Sequence, residues 1–212
     1  MPLMTRLTAP VAFALALAAF GPPASAEIRN GRLSAEGFQL GLQLGGNACV
    51  ADGKARCDGV DPGLMLLAAP SYRFSPWVSL SLDLQVGLFG APSGEGALWA
   101  VSAMPTLRGH LPLGPGALVV GAGLGYDSLT QDVTDTTTNG TVTWSTFLAL
   151  KATLGYLLEL SASWAVGLEA QAFWNPDTGD VCADLEGAEL CEPMDGDVSE
   201  RLTLGVYALW RF

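Results

Sequence analysis

The feature that most restricts this chain is a strict two-residue alternation. In Val78-Ser79-Leu80-Ser81-Leu82-Asp83-Leu84-Gln85-Val86-Gly87-Leu88 every even position is aliphatic and every odd one is small or polar. Successive side chains of a β-strand point to opposite faces, so this spacing makes a strand with one apolar and one polar face. Wound as a helix, the same residues would scatter their leucines around the whole cylinder. Phe38 to Leu44 repeats the pattern, and related segments run over about 62–74, 97–111, 117–127, 142–157, 164–174 and 200–212. The chain thus reads as all-β, with about eight strands of about 10 to 16 residues. Strands of globular sheets are shorter, whereas roughly 9–11 residues cross a bilayer when tilted.

Composition agrees with a membrane strand protein. Mean hydropathy is +0.34 and charged residues make up 15%, against roughly 25% in soluble domains. The formal net charge of −11 opposes attraction to phosphate backbones and argues against nucleic acid as a partner. Met1 to Ala26 combines Arg6, an apolar core from Val11 to Phe20 and a small-residue end, Ala24-Ser25-Ala26. That arrangement predicts a secretory signal peptide over 1–26, cleaved after Ala26, ahead of one barrel domain over 27–212. Past it no apolar run approaches the roughly 18 residues of a spanning helix.

The connections alternate in length. Short ones fall around Ser75-Pro76-Trp77, at Pro112 to Gly116 and near Leu158 to Ser163; longer ones are Gly46 to Asp61, Ala91 to Gly96, Ser128 to Thr141 and Asn175 to Ser199. A closed up-and-down antiparallel transmembrane barrel has this rhythm, with short periplasmic turns and longer external loops. Aromatic residues gather at the strand ends. Trp99, Tyr126, Trp144 and Trp174 abut the long loops, and Tyr72, Tyr156, Trp164, Trp210 and Phe212 abut the short turns. Their parity places them on the aliphatic faces, as two girdles around an apolar band. Pro70 and Pro105 fall inside predicted strands of a sheet with no edge, which predicts bulges or irregularity there.

The final strand, Leu202-Thr203-Leu204-Gly205-Val206-Tyr207-Ala208-Leu209-Trp210-Arg211-Phe212, resembles that of the small eight-stranded outer-membrane barrels of Gram-negative bacteria, the class of the OmpA membrane domain, OmpX and OmpW. The resemblance covers essentially the whole mature chain. It implies residence in the outer membrane, contact with its lipid and lipopolysaccharide, and Phe212 with Trp210 as the signal read by the barrel-assembly machinery. Barrels of this class serve as anchors, adhesins, narrow channels and lipid-modifying enzymes, so fold alone leaves the activity open.

If the aliphatic faces meet lipid, the opposite faces line the lumen. Those positions carry Gln39, Gln43, Arg73, Ser79, Ser81, Asp83, Gln85, Ser102, Thr106, Arg108, Lys151, Thr153, Glu169, Gln171, Thr203, Tyr207 and Arg211. An eight-stranded lumen holds little beyond side chains, and isolated charges there are costly. Heights along neighbouring strands pair Lys151 with Glu169 and Asp83 with Arg108, giving a polar plug; exchange of those partners is what a gate would need.

Cys49 and Cys57 lie in the first long loop, Cys182 and Cys191 in the last. Four cysteines allow three pairings, and the short spacings favour Cys49–Cys57 and Cys182–Cys191. Export to an oxidising compartment favours disulfides, and one histidine without a Cys-x-x-Cys argues against zinc. Between Asp177 and Asp197 the last loop carries eight acids and no Lys or Arg. That composition predicts a solvated rim; Asp195 and Asp197 are the candidate Ca²⁺ ligands, in a run too short for an EF-hand. The Thr-rich segment from Thr134 to Thr143 suggests an exposed loop. No cofactor is expected.

His110, the only histidine, shares the lumen parity, with Glu159 near the same rim. Lipid A deacylases of the resembled class use a serine, a histidine and an acid that face lipid, so His110 faces the wrong way for that chemistry. The expectation is a non-enzymatic, monomeric barrel with acidic, disulfide-stapled external loops. A narrow channel for ions or small solutes is the alternative, and a lipid-modifying enzyme the remoter one.

Overall fold

The computed structural model describes residues 28–29, 32–33, 36–50, 60–90, 98–134, 139–175, 180–185, 188–193 and 200–212. Its main sheet has eight long strands: β1 (Gly37–Cys49), β2 (Asp61–Ser75), β3 (Val78–Gly90), β4 (Leu98–Leu113), β5 (Gly116–Thr134), β6 (Asn139–Glu159), β7 (Trp164–Trp174) and β8 (Glu200–Arg211). Each pairs antiparallel with its sequence neighbours, and β8 closes on β1 through Leu202↔Ala48 to Arg211↔Gln39. The result is a closed barrel with no unpaired edge in its wall.

The alternation sorts the two faces as the sequence predicts. Leu44, Leu64, Leu168 and Leu204 stand outward at 60% exposure or more, forming an apolar belt. Every polar position assigned above to the lumen is buried. Aromatic side chains cluster on the belt at the short-turn end: Phe38, Tyr72 and Phe74 meet edge to face, and Trp164 stacks on Trp210, which touches Phe212. The turn from β4 to β5 needs Gly114, whose φ of 61° is a left-handed conformation that a Cβ would strain.

Three expectations are corrected at the wall and the rim. At the prolines the irregularity is an interrupted ladder and not a bulge. Around Pro70 the β2–β3 pairing passes from Ala68↔Leu84 to Ser71↔Ser81, and around Pro105 the β4–β5 pairing passes from Ala103↔Tyr126 to Thr106↔Gly123, both in register. Each proline loses pairing on one side and keeps it on the other, with Leu40 and Leu82 respectively. The register shifts lie elsewhere, including one between Gly125 and Asp127 against β6.

That shift corrects the second expectation. It inserts an extra residue near Phe147, and Phe147 and Leu148 are both exposed. Parity along β6 therefore reverses, which is what a bulge does to a period-two pattern. Trp144 leaves the lipid face and packs against the inward cluster of Phe89, Leu98, Ala100 and Leu129. Phe147 takes its place in the outer girdle beside Tyr126, ring centres 5.2 Å apart. Third, the stretch expected to be a loop from Ser128 to Thr141 is strand over its described residues: β5 continues to Thr134 and β6 begins at Asn139. The Thr- and Val-rich sequence suits a β-ribbon. Two further strands extend its sheet, Asp180–Leu185 pairing with Gly140 to Ser145 of β6, and Ala188–Pro193 pairing with the first.

Candidate functional site in the barrel interior

The lumen is filled in layers. At its centre β3, β4, β6 and β7 each supply one inward charge: Asp83, Arg108, Lys151 and Glu169. All four are at most 3% exposed. Arg108 is the hub. Its Nη2 donates to Asp83 Oδ2 at 2.8 Å, its Nη1 donates to Glu169 Oε2, and its Nε donates to Ser81 Oγ at 3.2 Å. Lys151 Nζ donates to the same Asp83 oxygen. Gln171 Nε2 donates to Glu169 Oε1 at 2.9 Å and to Gln43 Oε1 at 2.7 Å, while Gln43 Nε2 donates to the Glu169 carbonyl at 2.8 Å. The Tyr207 ring of β8 stacks below the guanidinium, 5.3 Å from its centroid.

The pairings differ in part from the expectation. Asp83 and Arg108 meet, but Lys151 reaches Asp83, and Glu169 takes Arg108. β4 and β7, like β3 and β6, stand three strands apart around the closed wall, so their long side chains meet across the narrow lumen instead of bridging adjacent strands. Small residues make room for them. A Cβ on Gly123 would lie 3.3 Å from Lys151 Cε, and one on Gly41 would land 1.8 Å from the Tyr207 hydroxyl. Gln85, also assigned to this network, is buried but has no hydrogen-bond partner for either amide atom.

Apolar layers flank the charges. Toward the short turns lie Val119, Leu157, Ala165 and Leu209, and Ala69, Leu67 and Met65 of β2 continue the same cluster up past the level of the charges; toward the long loops lie Met104, Ala149 and Phe173. Beyond Phe173 a second ionic layer joins Asp127 of β5 to Arg201 of β8, with Asn175 Nδ2 donating to Asp127 at 2.6 Å. Sequence reasoning missed this layer because Asp127 stands at the edge of the supposed loop, although it shares parity with Gly125 beneath it. At the short-turn end, Ser79 Oγ lies 2.8 Å from His110 Nε2, a pair that parity alone did not single out. Arg73 donates to the carbonyls of Ser75 and Pro76, and Arg211 Nη2 donates to Glu159 at 3.2 Å.

Outside the barrel, Cys182 and Cys191 stand opposite each other in register and are joined as a disulfide. Cys57, expected to pair with Cys49, and the candidate Ca²⁺ ligands Asp195 and Asp197 lie outside the described residues, as does the proposed signal peptide. Among the described residues no group of three or more His, Cys, Asp or Glu side chains is placed to hold a metal ion.

A closed eight-stranded wall, an apolar belt with aromatic rims and a polar interior define a transmembrane β-barrel of the outer-membrane type. The chain matches the outer membrane protein beta-barrel domain family over residues 12–190 and belongs to that family. Its fold is similar to that of Neisserial surface protein A, with a TM-score of 0.60, 10% identity, and coverage of 82% of this chain and 97% of that one. It also aligns to the outer membrane protein OprG of Pseudomonas aeruginosa, with a TM-score of 0.47, 10% identity, and coverage of 84% and 98%. No curated protein matches the sequence. The protein is an integral outer-membrane barrel, and its short-turn end is the periplasmic one by the rule of this architecture.

Proposed function

We propose that this is a plugged, non-enzymatic barrel: a monomeric anchor that holds an acidic, disulfide-stapled β-ribbon outside the membrane. The carrying observation is the Arg108 network, which ties β3, β4 and β7 directly, adds β6 through Lys151, and locks β1 through Gln43. Apolar layers above and below leave the network between packed side chains rather than along an aqueous wall. Breaking one partner of a buried pair leaves an uncompensated charge costing about 3–5 kcal/mol, so an ion has no easy exchange through the centre. Outer-membrane lipid and lipopolysaccharide are its surroundings, and β8 with Trp210 and Phe212 serves as the segment read during barrel assembly. Enclosure of the Ser79–His110 pair, at 1% and 4% exposure, supports the non-enzymatic reading, since a lipid acyl chain on the outer face has no path to it.

Planar-bilayer recording on the refolded protein tests this. The expected trace has no current steps above the protein-free background. Steps that change in size on Glu169→Gln would establish the alternative, a narrow channel. That reading draws on Asn47 and Gln85, whose buried amide atoms lack partners and leave polar room for water above the network.

A further inference from the structure

The three ionic layers differ in their charge balance. The outer layer sets Asp127 against Arg201, and the central one sets Asp83 and Glu169 against Arg108 and Lys151; both sum to zero. At the periplasmic end Arg73 and Arg211 are 4% and 6% exposed. They lie close enough to repel each other electrostatically. Among the described residues Glu159 is the one side-chain carboxylate paired with either, so the side-chain charges of Arg73, Arg211 and Glu159 sum to +1.

A second observation is independent of charge. Arg211 Nε, Arg211 Nη1 and Gln39 Nε2 are buried there without hydrogen-bond partners. Arg211 and Gln39 stand directly opposite in the β1–β8 ladder, so their side chains share the lumen face. All three orphaned atoms are donors. Elsewhere in the lumen the orphans are mixed, as at Asn47 and Gln85, where both the nitrogen and the oxygen lack partners. Mixed orphans suit water, which donates and accepts. Orphaned donors beside a surplus positive charge call for an acceptor that is negative.

We propose that the periplasmic mouth of the barrel is a binding site for a phosphate-type oxyanion, held by Arg73, Arg211 and Gln39. A tetrahedral oxyanion offers several acceptor oxygens, enough for the guanidinium edge of Arg211 and the Gln39 amide together. Glu159, with its side chain 27% exposed, is the water-facing side of the site and competes with the anion for Arg211. Free phosphate and the phosphate of a lipid headgroup present the same chemistry.

The test is a titration of inorganic phosphate into the refolded barrel in maltoside micelles, at constant ionic strength against chloride. The readout is the NMR resonances of the arginine Nε–H groups. Saturable movement of the Arg73 and Arg211 signals is expected, weakened roughly tenfold by Arg211→Gln through loss of a charge-assisted contact. Glu159→Gln should tighten binding several-fold. A merely structural role for these residues does not predict that sign, and the variant keeps the test intact if Arg211→Gln fails to refold. In nanodiscs containing phosphatidylglycerol, signals already at the bound position identify a headgroup as the source; signals that still titrate identify free phosphate. Chloride acting as well as phosphate, no saturation by roughly 20 mM, far weaker than the ordinary millimolar range, or unchanged binding in Glu159→Gln would overturn the site.

Discussion

The central and periplasmic layers of the lumen are made from the same materials, arginines and carboxylates on inward positions, yet they end in different states. Arg108 at the centre finds two carboxylates, a serine hydroxyl and an aromatic face. Arg211 finds one half-open carboxylate and keeps two buried nitrogens without partners. Burial alone therefore does not say whether a charge is structural. The balance of charge and of spare groups does: a neutral cluster whose cations are all paired locks strands together, and a cationic cluster whose spare groups are donors is prepared for a ligand.

Four outcomes sharpen or break this contrast. The largest effect belongs to the centre. Asp83→Asn strands Lys151 and half of Arg108, and should cost about 3–5 kcal/mol in urea unfolding from lipid. A loss as small as that of a surface change would make the network ornamental. Next comes the wall: Leu204→Arg, on the outward face at 61% exposure, should cost about 2–4 kcal/mol near the bilayer midplane. Third, Arg73→Gln should cost about 1 kcal/mol or less, since two hydrogen bonds to turn carbonyls are lost while repulsion with Arg211 is relieved. A penalty matching Asp83→Asn would erase the distinction between the layers. The smallest effect is linkage: phosphate at a concentration equal to its Kd should raise unfolding stability by about 0.4 kcal/mol, and Arg211→Gln should cut the increment at that concentration to less than about 0.1 kcal/mol.

Much of this architecture was legible in the residue order. Period-two alternation separated the faces, and lumen positions such as Gln43, Thr106 and Glu169 follow from parity alone. Three things did not follow. Lys151 and Glu169 face partners across the barrel, because closure sets which side chains meet and local heights do not encode it. Trp144 changed faces because one extra residue near Phe147 shifts the parity of everything above it, and a bulge has no signal in an already polar, Thr-rich stretch. Pro70 and Pro105 stayed in register because each surrenders pairing on one side only while the other neighbouring strand holds it. The apolar lumen layers were hidden for another reason. In Leu64-Met65-Leu66-Leu67-Ala68-Ala69 both faces are hydrophobic, so alternation there carries no contrast.

The enclosed interior is the claim on which the rest depends, and cysteine accessibility measures it directly. Thr106 is fully buried beside the charge network. The Thr106→Cys variant, refolded into liposomes, is exposed to a charged, water-soluble methanethiosulfonate. The prediction is that the introduced thiol stays unmodified over the time in which an exposed control, Ser163→Cys, reacts completely. Labelling of that buried thiol at a rate near that of the control would mean that bulk water reaches the network, and the plugged-barrel account would be wrong.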